Sequence, residues 1–492
     1  MRGGYLAAAG AAAMAWSSLV LAQSATQPPA GEVDTLREAL VQTYATNPTI
    51  MAERSQLRGT DEGVALARAE GRPQVSTSVG LNQDVVTRNL GRNGRDLTVG
   101  AEVSMPLFAG GRVRNSVRAA SVRVAAGRAD LRATEGDIFT EAVAAYMDVI
   151  RDRSIVALNE GQVRVLDTNL QATRDRFEVG DLTRTDVAQS EARLALSRST
   201  LADAEGRLRA SEENYRRVIG VLPADLQPPP PLPTLPGTPD QATQVALANN
   251  ADLHSVVAQA RAAGFDVRVA RGFRLPTVSA TSGTRYFNAL GSGDDGLAPG
   301  ATAPPNSSTS TGIGLTLSLP LYQGGAASAR VRQAQAIRSS LIEQSVAVER
   351  AVVSSTRAAF AAYEAANDAI ESNTIAVAAN ELALEGTRAE QTVGTRNILD
   401  VLNAEQEHLN AQVALVSARR DAYVAGFQLL NVMGMAEADD LNLDGGALYD
   451  PTINYERYAD SWSDWNDGPP VRRISTRTAP ADAISPVTQL PQ

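Results

Sequence analysis

The side chains that most often carry out catalysis are scarce in this chain. Its 492 residues include two histidines, His254 and His408, and no cysteine. Without cysteine the chain has no thiol nucleophile, no disulfide and no thiolate metal ligand. Neither histidine belongs to a nucleophile–base pair or to a cluster of metal-ligating residues. The sequence therefore predicts no enzymatic activity and no cofactor or metal site.

One glycine-rich segment fits a nucleotide-binding pattern. Residues 291–296 match G-x-G-x-x-G, a pattern that holds a pyrophosphate where a helix begins directly after it. Here Pro299, Pro304 and Pro305 follow, and no helical pattern opens. We interpret the segment as part of a polar loop, Asn288–Ser310.

Two aspartates occupy equivalent positions in the chain. Asp186 and Asp400 each lie six residues after a glycine, Gly180 or Gly394, that ends a long helical pattern. Glycine often ends helices because it readily adopts the left-handed conformation. A carboxylate in the first turn of the next helix is stabilised by the helix dipole. Each aspartate therefore serves either the fold alone or a functional site.

These aspartates belong to a duplication that covers most of the chain. Seven residues between Pro106 and Gly220 recur 214 positions later, between Pro320 and Gly434. Upstream, five residues between Asn47 and Gly80 recur 203 positions later, and an insertion of 11 residues reconciles the two spacings. The chain is therefore predicted to contain two tandem units of one architecture.

Composition narrows the class of protein. The formal net charge is −10 and the basic residues are scattered, which predicts no nucleic-acid partner. Residues 1–22 have the features of a secretory signal peptide: basic Arg2, an alanine-rich apolar run, and small residues before a cleavage near Gln23. An uncleaved anchor helix is the alternative interpretation. Beyond residue 22, no apolar run approaches the length of a membrane-spanning helix.

Each unit is predicted to begin with a helix of moderate length. These helices cover Thr35–Glu70 in the first unit and Gln241–Gly272 in the second. Pro73 and Pro276 end the helical patterns, because a proline disfavours helical geometry in the residue before it.

A β-hairpin follows in each unit, over residues 74–107 and 277–321. The second strand gives the clearest signal, because apolar and polar residues alternate along Leu97–Met105 and Ile313–Leu319. Each run has about ten residues, the length with which a tilted strand crosses a bilayer. The hairpins are therefore predicted to lie in a membrane.

Prolines and glycines mark the predicted junctions between strands and helices. One proline precedes each hairpin, and a second proline is predicted to end its strand ladder. A glycine pair then permits a sharp change of direction. The predicted junction residues are Pro73, Pro106, Gly110, Gly111, Pro276, Pro320, Gly324 and Gly325.

A helix of exceptional length follows each junction. The patterns run from about Val113 to Glu178 and from about Ala327 to Thr392, which corresponds to about 100 Å at 1.5 Å per residue. Apolar residues recur every seven positions there and in the shorter returning helices after Gly180 and Gly394. A seven-residue repeat is typical of helices that pack side by side in a supercoil.

Four strands in one chain predict an oligomer. They cannot close a barrel alone, and each unpaired backbone group in lipid costs several kcal/mol. Three copies would supply twelve strands, an even number as in bacterial barrels. We therefore expect a hollow, membrane-anchored conduit with threefold symmetry.

The order of these motifs resembles the TolC outer-membrane channel family. The resemblance covers about residues 33–435, and Val393–Leu402 is its highly specific segment. The segments that carry it are Met105–Gly111, Leu319–Gly325, Phe177–Glu191 and Val393–Glu405. It implies an α+β membrane protein, tandem duplicated. In this fold a trimeric 12-stranded outer-membrane β-barrel, with four strands per chain, is continuous with a long periplasmic α-helical barrel.

The resemblance divides the chain into parts and gives each a place. The connector contains eight prolines between Leu222 and Pro239, and in the family this region helps form an equatorial belt. The predicted parts are the signal peptide 1–22, the first repeat 23–220, the equatorial linker 221–240, the second repeat 241–435, and a C-terminal equatorial segment with a polar tail, 436–492.

The resemblance also implies a function and partners. The expected function is the exit duct of tripartite efflux or type I secretion systems, which passes drugs, other small molecules or secreted proteins. The expected homotrimer lies in the lipid bilayer of the outer membrane, with a large periplasmic extension. A periplasmic adaptor (membrane fusion) protein and an inner-membrane transporter of RND, ABC or MFS type are the implied partners. A soluble periplasmic coiled-coil adaptor is the alternative, although adaptors lack two symmetric hairpins.

A gate at the periplasmic tip follows from the same resemblance. Asp400 matches the ring of aspartates at the family's constriction, where three carboxylates would repel one another and attract cations. Arg396 matches an arginine that helps lock the closed tip, and Thr185 and Asp186 match its partners in the first unit.

Two further gate positions depart from the family's pattern. Asn403 stands where the best-known members have an aspartate, so no second ring of charge is predicted there. Gln391 stands where a tyrosine is found elsewhere, and a glutamine can still form hydrogen bonds.

Overall fold

The computed structural model describes most of the chain. The predicted signal peptide and the glycine-rich segment 291–296 lie outside the described residues. From Val33 onward the chain forms one unit. The described residues are 33–83, 94–290, 305–441, 443, 448–469, 474–475 and 478.

The same order of elements occurs twice, which confirms the tandem duplication. In both halves two short helices precede a strand pair, a helix of 67 residues and a returning helix. The first half contains α1 (Leu36–Thr46), α2 (Pro48–Ala69), β1 (Gln74–Gln83), β2 (Arg95–Ala109), α3 (Arg112–Glu178) and α4 (Arg184–Ile219). The second contains α5 (Pro239–Asn249), α6 (Ala251–Gly272), β3 (Thr277–Asn288), β4 (Ser307–Ser318), α7 (Ala326–Thr392) and α8 (Ile398–Val432), and α9 (Ile453–Tyr458) follows.

Two asparagines correct the prediction of a single helix at the start of each unit. Asn47 separates α1 from α2 and Asn250 separates α5 from α6, with extended ψ angles of 126° and 125°. Each side-chain oxygen accepts a hydrogen bond from the first turn of the second helix. Each side-chain amide also donates to the end of a returning helix, at Val218 O (2.9 Å) or Val432 O (3.0 Å). The break is favourable because the asparagine both caps one helix and ties it to another.

The four strands form one antiparallel sheet in the order β1-β2-β3-β4. The prediction that Pro106 ends its ladder was wrong, because β2 continues to Ala109 through a bulge between Pro106 and Phe108. A bulge tolerates proline because the missing N–H has no ladder partner to lose. In the second half β4 ends at Ser318, before Pro320.

The sheet has one apolar and one polar face. Successive side chains of a strand point to opposite faces, so the register assigns each residue to a face. Both faces are largely exposed within the single chain. The apolar face includes Val75, Val79, Val99, Val103, Leu315 and Leu317. The polar face includes Ser76, Ser78, Glu102, Thr281, Arg285 and Thr316.

The main core lies around the middle of α3, where the short helices and the returning helices meet. Phe139, Tyr146 and Tyr215 are fully buried there. The Tyr146 hydroxyl donates to Gln227 O at 2.6 Å, so the proline-rich linker is fixed to this core. Among the described residues, no helix is both long and apolar enough to cross a membrane.

The two long helices differ sharply in burial. The first, α3, buries 22 of its residues, whereas α7, of equal length, buries five. The heptad positions of α7 are partly or fully buried within the chain, whereas other large apolar residues of this helix are exposed, namely Ile337, Ile342, Val346, Ile375 and Leu382. The buried residues of α7 are Val331, Val352, Thr356, Phe360 and Leu384.

Candidate functional site at the helical tips

The chain reverses at two tips that share one backbone geometry. We call residues 177–191 the first tip and residues 390–405 the second tip. Gly180 and Gly394 have a φ of +80°, a conformation that glycine adopts without strain. Their N–H groups donate to Phe177 O at 3.0 Å and Gln391 O at 3.1 Å. Each glycine therefore ends its long helix in the same way, and Gln391 takes part through its backbone.

At the first tip, Asp186 belongs to a complete capping box. Its carboxylate accepts hydrogen bonds from Thr183 N at 2.8 Å and from the Thr183 hydroxyl at 2.7 Å. The Thr183 hydroxyl oxygen accepts in turn from Asp186 N at 3.3 Å. The hydrogen bond from the Thr183 hydroxyl, followed by that from its backbone N–H, lowers the pKa of Asp186. This carboxylate therefore stabilises the start of α4, and Thr185 lies exposed in the same turn.

At the second tip, Asp400 has the same helical position and different partners. The capping residue is Asn397, which lies 214 residues after Thr183 and whose side-chain oxygen accepts from Leu399 N at 3.2 Å. The Asp400 carboxylate lies 3.8 Å from Arg396 and is 43% exposed. It therefore stays outside the cap, in contrast to Asp186.

Arg396 links the two sides of the second tip. Its Nε donates to Glu390 Oε2 at 2.8 Å, and its Nη1 lies 3.8 Å from Asp400 Oδ2. The hydrogen bond to Glu390 is the main reason that the pKa of Arg396 is raised, and Asp400 adds to it. Within the described residues, no hydrogen bond or ion pair joins Arg396 to Thr185 or Asp186. That Thr185 and Asp186 are partners of Arg396 stays a prediction.

Asn403 joins the two halves of the molecule. Its side-chain oxygen accepts a hydrogen bond at 2.7 Å from Arg193 on α4. Sequence reasoning missed Arg193, because its own counterpart 214 residues later is Glu407 and therefore shows no repeat. The tip of α8 is thus tied to α4 as well as to α7.

An ion pair is duplicated behind the tips. Arg174 pairs with Glu191 at 2.6 Å, and Arg388 pairs with Glu405 at 3.1 Å. Glu405 is 3% exposed, and Asn169 on α3 also donates to it at 3.2 Å. Both pairs could have been found from the sequence, since each residue recurs after 214 positions. The second pair fixes α3, α7 and α8 together next to the residues predicted to form the gate.

The glycine pairs at the other end of the long helices require their glycines. Gly110, Gly111, Gly324 and Gly325 all have positive φ angles. A Cβ on Gly110 would also lie 2.6 Å from Gly272 O. These residues form the turns between sheet and helices; the turn at Gly110 is closely packed, whereas a Cβ on Gly324 or Gly325 would meet open space. Pro73 and Pro276 lie directly before β1 and β3.

The chemistry of the tips is electrostatic. In the part of the chain that the structure describes, no group of histidine, aspartate and glutamate side chains could hold a metal ion. His408 is half-buried on α8, and its Nε2 lies 2.9 Å from Gln412 Nε2. The charged side chains at the helix ends can repel or bind charged solutes, and ion pairs between them can hold the helix ends together.

Comparisons with known proteins agree with this architecture. The family model described as "Outer membrane efflux protein" matches residues 39–221 and 242–435. The chain is 36% identical over 430 residues to outer membrane efflux protein BepC of Brucella suis, covering 87% of this chain and 91% of BepC. It is 26% identical to outer membrane protein TolC of Escherichia coli over 70% of this chain and 72% of that protein. The fold is also similar to the crystal structure of the Campylobacter jejuni CmeC outer membrane channel, with a TM-score of 0.72 at 15% identity. That alignment covers 86% of this chain and 89% of the CmeC chain.

Proposed function

The chain belongs to the outer membrane efflux protein family, and from this membership we propose that three copies close into one conduit. The protein is an outer-membrane channel, the exit duct of an efflux or secretion system. In the proposed trimer, three four-stranded sheets form a twelve-stranded barrel, and the long helices form a tube that extends into the periplasm.

The exposure of α7 is the observation that carries this proposal. This helix buries five residues where α3 buries 22, and five of its large apolar side chains, those of Ile337, Ile342, Val346, Ile375 and Leu382, are exposed. Such side chains are stabilised when another helix packs against them. Among the described strands, β1 and β4 each pair along one edge only, and in lipid the backbone groups of the other edge must also pair. Threefold closure satisfies both requirements at once.

The two faces of the sheet support a pore inside the barrel. The apolar face suits contact with lipid, and the polar face suits a water-filled lumen. A soluble adaptor would not need an exposed apolar sheet face of this kind. The family match and the channel fold therefore exclude the soluble periplasmic adaptor as the function of this chain.

We propose that the conduit works with two partners. An inner-membrane transporter of RND, ABC or MFS type would deliver the cargo, and a periplasmic adaptor would join that transporter to the tip of the channel. The cargo in this proposal is a drug or another small molecule in efflux, or a polypeptide in type I secretion.

The proposed gate is the second tip. Asp400 is the carboxylate outside the helix cap, and Arg396 ties it to the end of α7 through Glu390. Thr185, Asp186, Gln391 and Asn403 would complete the tip. Three Asp400 carboxylates around the axis would narrow the opening and bind cations.

Purification and single-channel recording test the conduit. The detergent-extracted protein should have the mass of a trimer, form ring-shaped particles, and conduct ions in a planar bilayer. A stable folded monomer that does not conduct would refute the proposal.

Substitution of Asp400 tests the gate separately. Asp400→Ala should raise conductance and weaken block by divalent cations, because the ring of charge is lost. Asp421→Ala is the matched control, since Asp421 is an exposed aspartate on the same helix and pairs with Arg420 away from the tip. Equal conductance and block in Asp400→Ala and the wild type would reject this role.

A further inference from the structure

The C-terminal segment, residues 448–469, runs along α2 toward the sheet; we call it the strap. Near its start the Tyr449 N–H donates to a side chain of α1. Further on, Asn454 donates to Asp61 at 3.2 Å, and then Ala459 O accepts from Arg68 at 2.9 Å. The partners advance along α2 as the strap advances, so the strap climbs from the core toward the strands.

The strap ends at the height of the junction between helices and strands. Arg72, two residues before β1, donates to Ser461 O, and its guanidinium lies 4.5 Å from the ring centre of Trp462. The preceding Gly71 packs against the first turn of α3, since a Cβ on it would lie 2.8 Å from Val113. Trp462 is therefore level with the ends of β1 and β2, where the barrel meets the helical tube.

Two tryptophans project from this end of the strap. Trp462 is 71% exposed and Trp465 is 94% exposed. Tryptophan has a large apolar ring and one N–H donor, and it is enriched where a membrane meets water. An indole left almost wholly in water loses the stabilisation that burial of its ring would give.

Other exposed apolar side chains lie at the same height. Phe108 is 49% exposed and pairs in register with Val278, which places it on the apolar face of the sheet. Leu321 and Tyr322, just beyond β4, are each 89% exposed. The strap tryptophans therefore continue the lower border of the surface that the proposed channel presents to lipid.

We propose that Trp462 and Trp465 insert into the interfacial layer of the inner leaflet, so that the strap anchors the channel to phospholipid. This inference rests on the proposed function, because it requires the apolar face to lie in a bilayer. Each indole ring lies among the upper acyl chains, and its N–H donates to a lipid ester or phosphate oxygen.

The charged residues near the two tryptophans indicate which kind of lipid headgroup they contact. Asp464 lies between them and Asp467 follows two residues after Trp465, while the cationic Arg72 lies against Trp462; the site therefore carries both signs of charge, as a zwitterionic headgroup does. Carboxylates at this position repel anionic headgroups. The partner is therefore a zwitterionic phospholipid such as phosphatidylethanolamine, and anionic lipid weakens the contact.

The chain provides its own fluorescent reporters for the test. It has three tryptophans, and cleavage of the predicted signal peptide removes Trp16, so the mature channel carries only the two in the strap. Trp465→Phe or Trp462→Phe then isolates each one. The trimer is reconstituted in phosphatidylethanolamine vesicles that contain lipids brominated near the headgroup or near the chain end. We expect a blue shift from detergent to vesicles, and greater loss of fluorescence with the shallow bromines than with the deep ones.

The possible outcomes distinguish contact of the tryptophans with lipid from contact with water or with another protein. Unchanged quenching by water-soluble acrylamide in vesicles would place the rings in water and overturn the anchor. A blue shift without bromine quenching would show a protein neighbour, either a second copy or an adaptor, and would overturn it too. Conductance is measured on the same vesicles. Conducting vesicles without lipid quenching refute the anchor alone, and quenched vesicles that never conduct refute the channel alone, whereas failure of both readouts refutes both.

A stability measurement checks the consequence of anchoring. The double variant Trp462→Ser/Trp465→Ser should lower the melting temperature more in vesicles than in detergent, where the contact of Trp462 with Arg72 is the loss expected. Leu222→Ser is the matched control, because Leu222 is 58% exposed in the linker away from the junction. An equal change in vesicles and detergent would mean that the tryptophans stabilise the fold and bind no lipid.

Discussion

Replacement of Asn250 by alanine tests how the short helices are fixed to the returning helices. The Asn250 side chain is buried, accepts a hydrogen bond from Leu253 N at 3.0 Å, and donates to Val432 O at 3.0 Å. Alanine removes both bonds. It leaves the first turn of α6 uncapped and leaves the carbonyl at the end of α8 without this partner.

The expected cost follows from these two losses. Loss of an N-cap typically costs about 1 kcal/mol. The part-buried Val432 carbonyl, left without this partner, adds about 1–3 kcal/mol. The sum is about 2–4 kcal/mol for Asn250→Ala. Asn47→Ala should cost about the same, because Asn47 caps α2 and donates to Val218 O at 2.9 Å.

Hydrogen exchange read by mass spectrometry measures this cost locally. Amides of α6 and of the end of α8 should exchange about 30- to 1000-fold faster in Asn250→Ala, if their exchange follows local opening. Thr238→Ala is the control, because Thr238 caps α5 at an exposed site and makes no bond to a returning helix. Its effect should be about tenfold or less near α5. If Asn250→Ala accelerates exchange no more than Thr238→Ala, the bond to Val432 contributes nothing and the reasoning is wrong.

Three further predictions concern the core, a tight turn and the lumen. Burial raises the pKa of Glu135 from 4.5 to about 7. The folded state therefore binds this proton more tightly than the unfolded state does. The resulting contribution to the free energy of unfolding is fully present below pH 4.5 and is lost as the pH rises through 7. Glu135→Gln should remove up to about 3 kcal/mol from the pH dependence of unfolding, measured by melting between pH 4 and 8. Gly434→Ala should destabilise more than Gly394→Ala in the same melting assay. Both glycines have positive φ, but an added Cβ on Gly434 would lie 2.5 Å from Asn249 O, whereas one on Gly394 would meet open space; equal costs would contradict this. Glu102→Gln should shift the ion selectivity of the pore toward anions and Arg285→Gln toward cations, measured by reversal potential, and unchanged potentials would place these residues outside the lumen.

Local sequence signals predicted the long helices well. The pattern from Val113 to Glu178 matches α3 (Arg112–Glu178) to within one residue, because a glycine lies at each end and the heptad repeat continues between them. The strands were predicted for a similar reason, since alternation is visible within ten residues. Such features depend on neighbours in sequence, so a single chain is enough to reveal them.

These local signals could not predict contacts between segments that are far apart in the sequence. The pairing of β2 with β3 joins the two halves and depends on how the helices beneath them pack. The bond between Arg193 and Asn403 has no counterpart in the repeat. The path of the strap along α2 depends on single hydrogen bonds from side chains such as Asn454, which no periodic pattern encodes. The break at Asn250 was missed because asparagine is common in many contexts, and only the acceptor at Val432 explains it.

The duplicated tips have diverged in what caps their returning helices, and this decides which aspartate is available to a gate. Thr183 uses its hydroxyl and its N–H to hold the Asp186 carboxylate. At the equivalent position Asn397 caps α8 with its amide oxygen, and Asp400 remains half exposed. The first aspartate therefore serves the helix, whereas the second keeps its carboxylate free for neighbours or for ions.

A single substitution can transfer the arrangement of the first tip to the second. Asn397→Thr should draw Asp400 into a capping box, because threonine at this position donates its hydroxyl to the carboxylate three residues later. The channel would keep its charge at Asp400 but lose much of that carboxylate's freedom to reach the axis, so cation block should weaken toward the level of Asp400→Ala. Thr183→Asn makes the reverse exchange at the first tip and serves as the control. If Asn397→Thr leaves cation block at the wild-type level while Asp400→Ala weakens it, then the cap does not control the availability of the gate carboxylate.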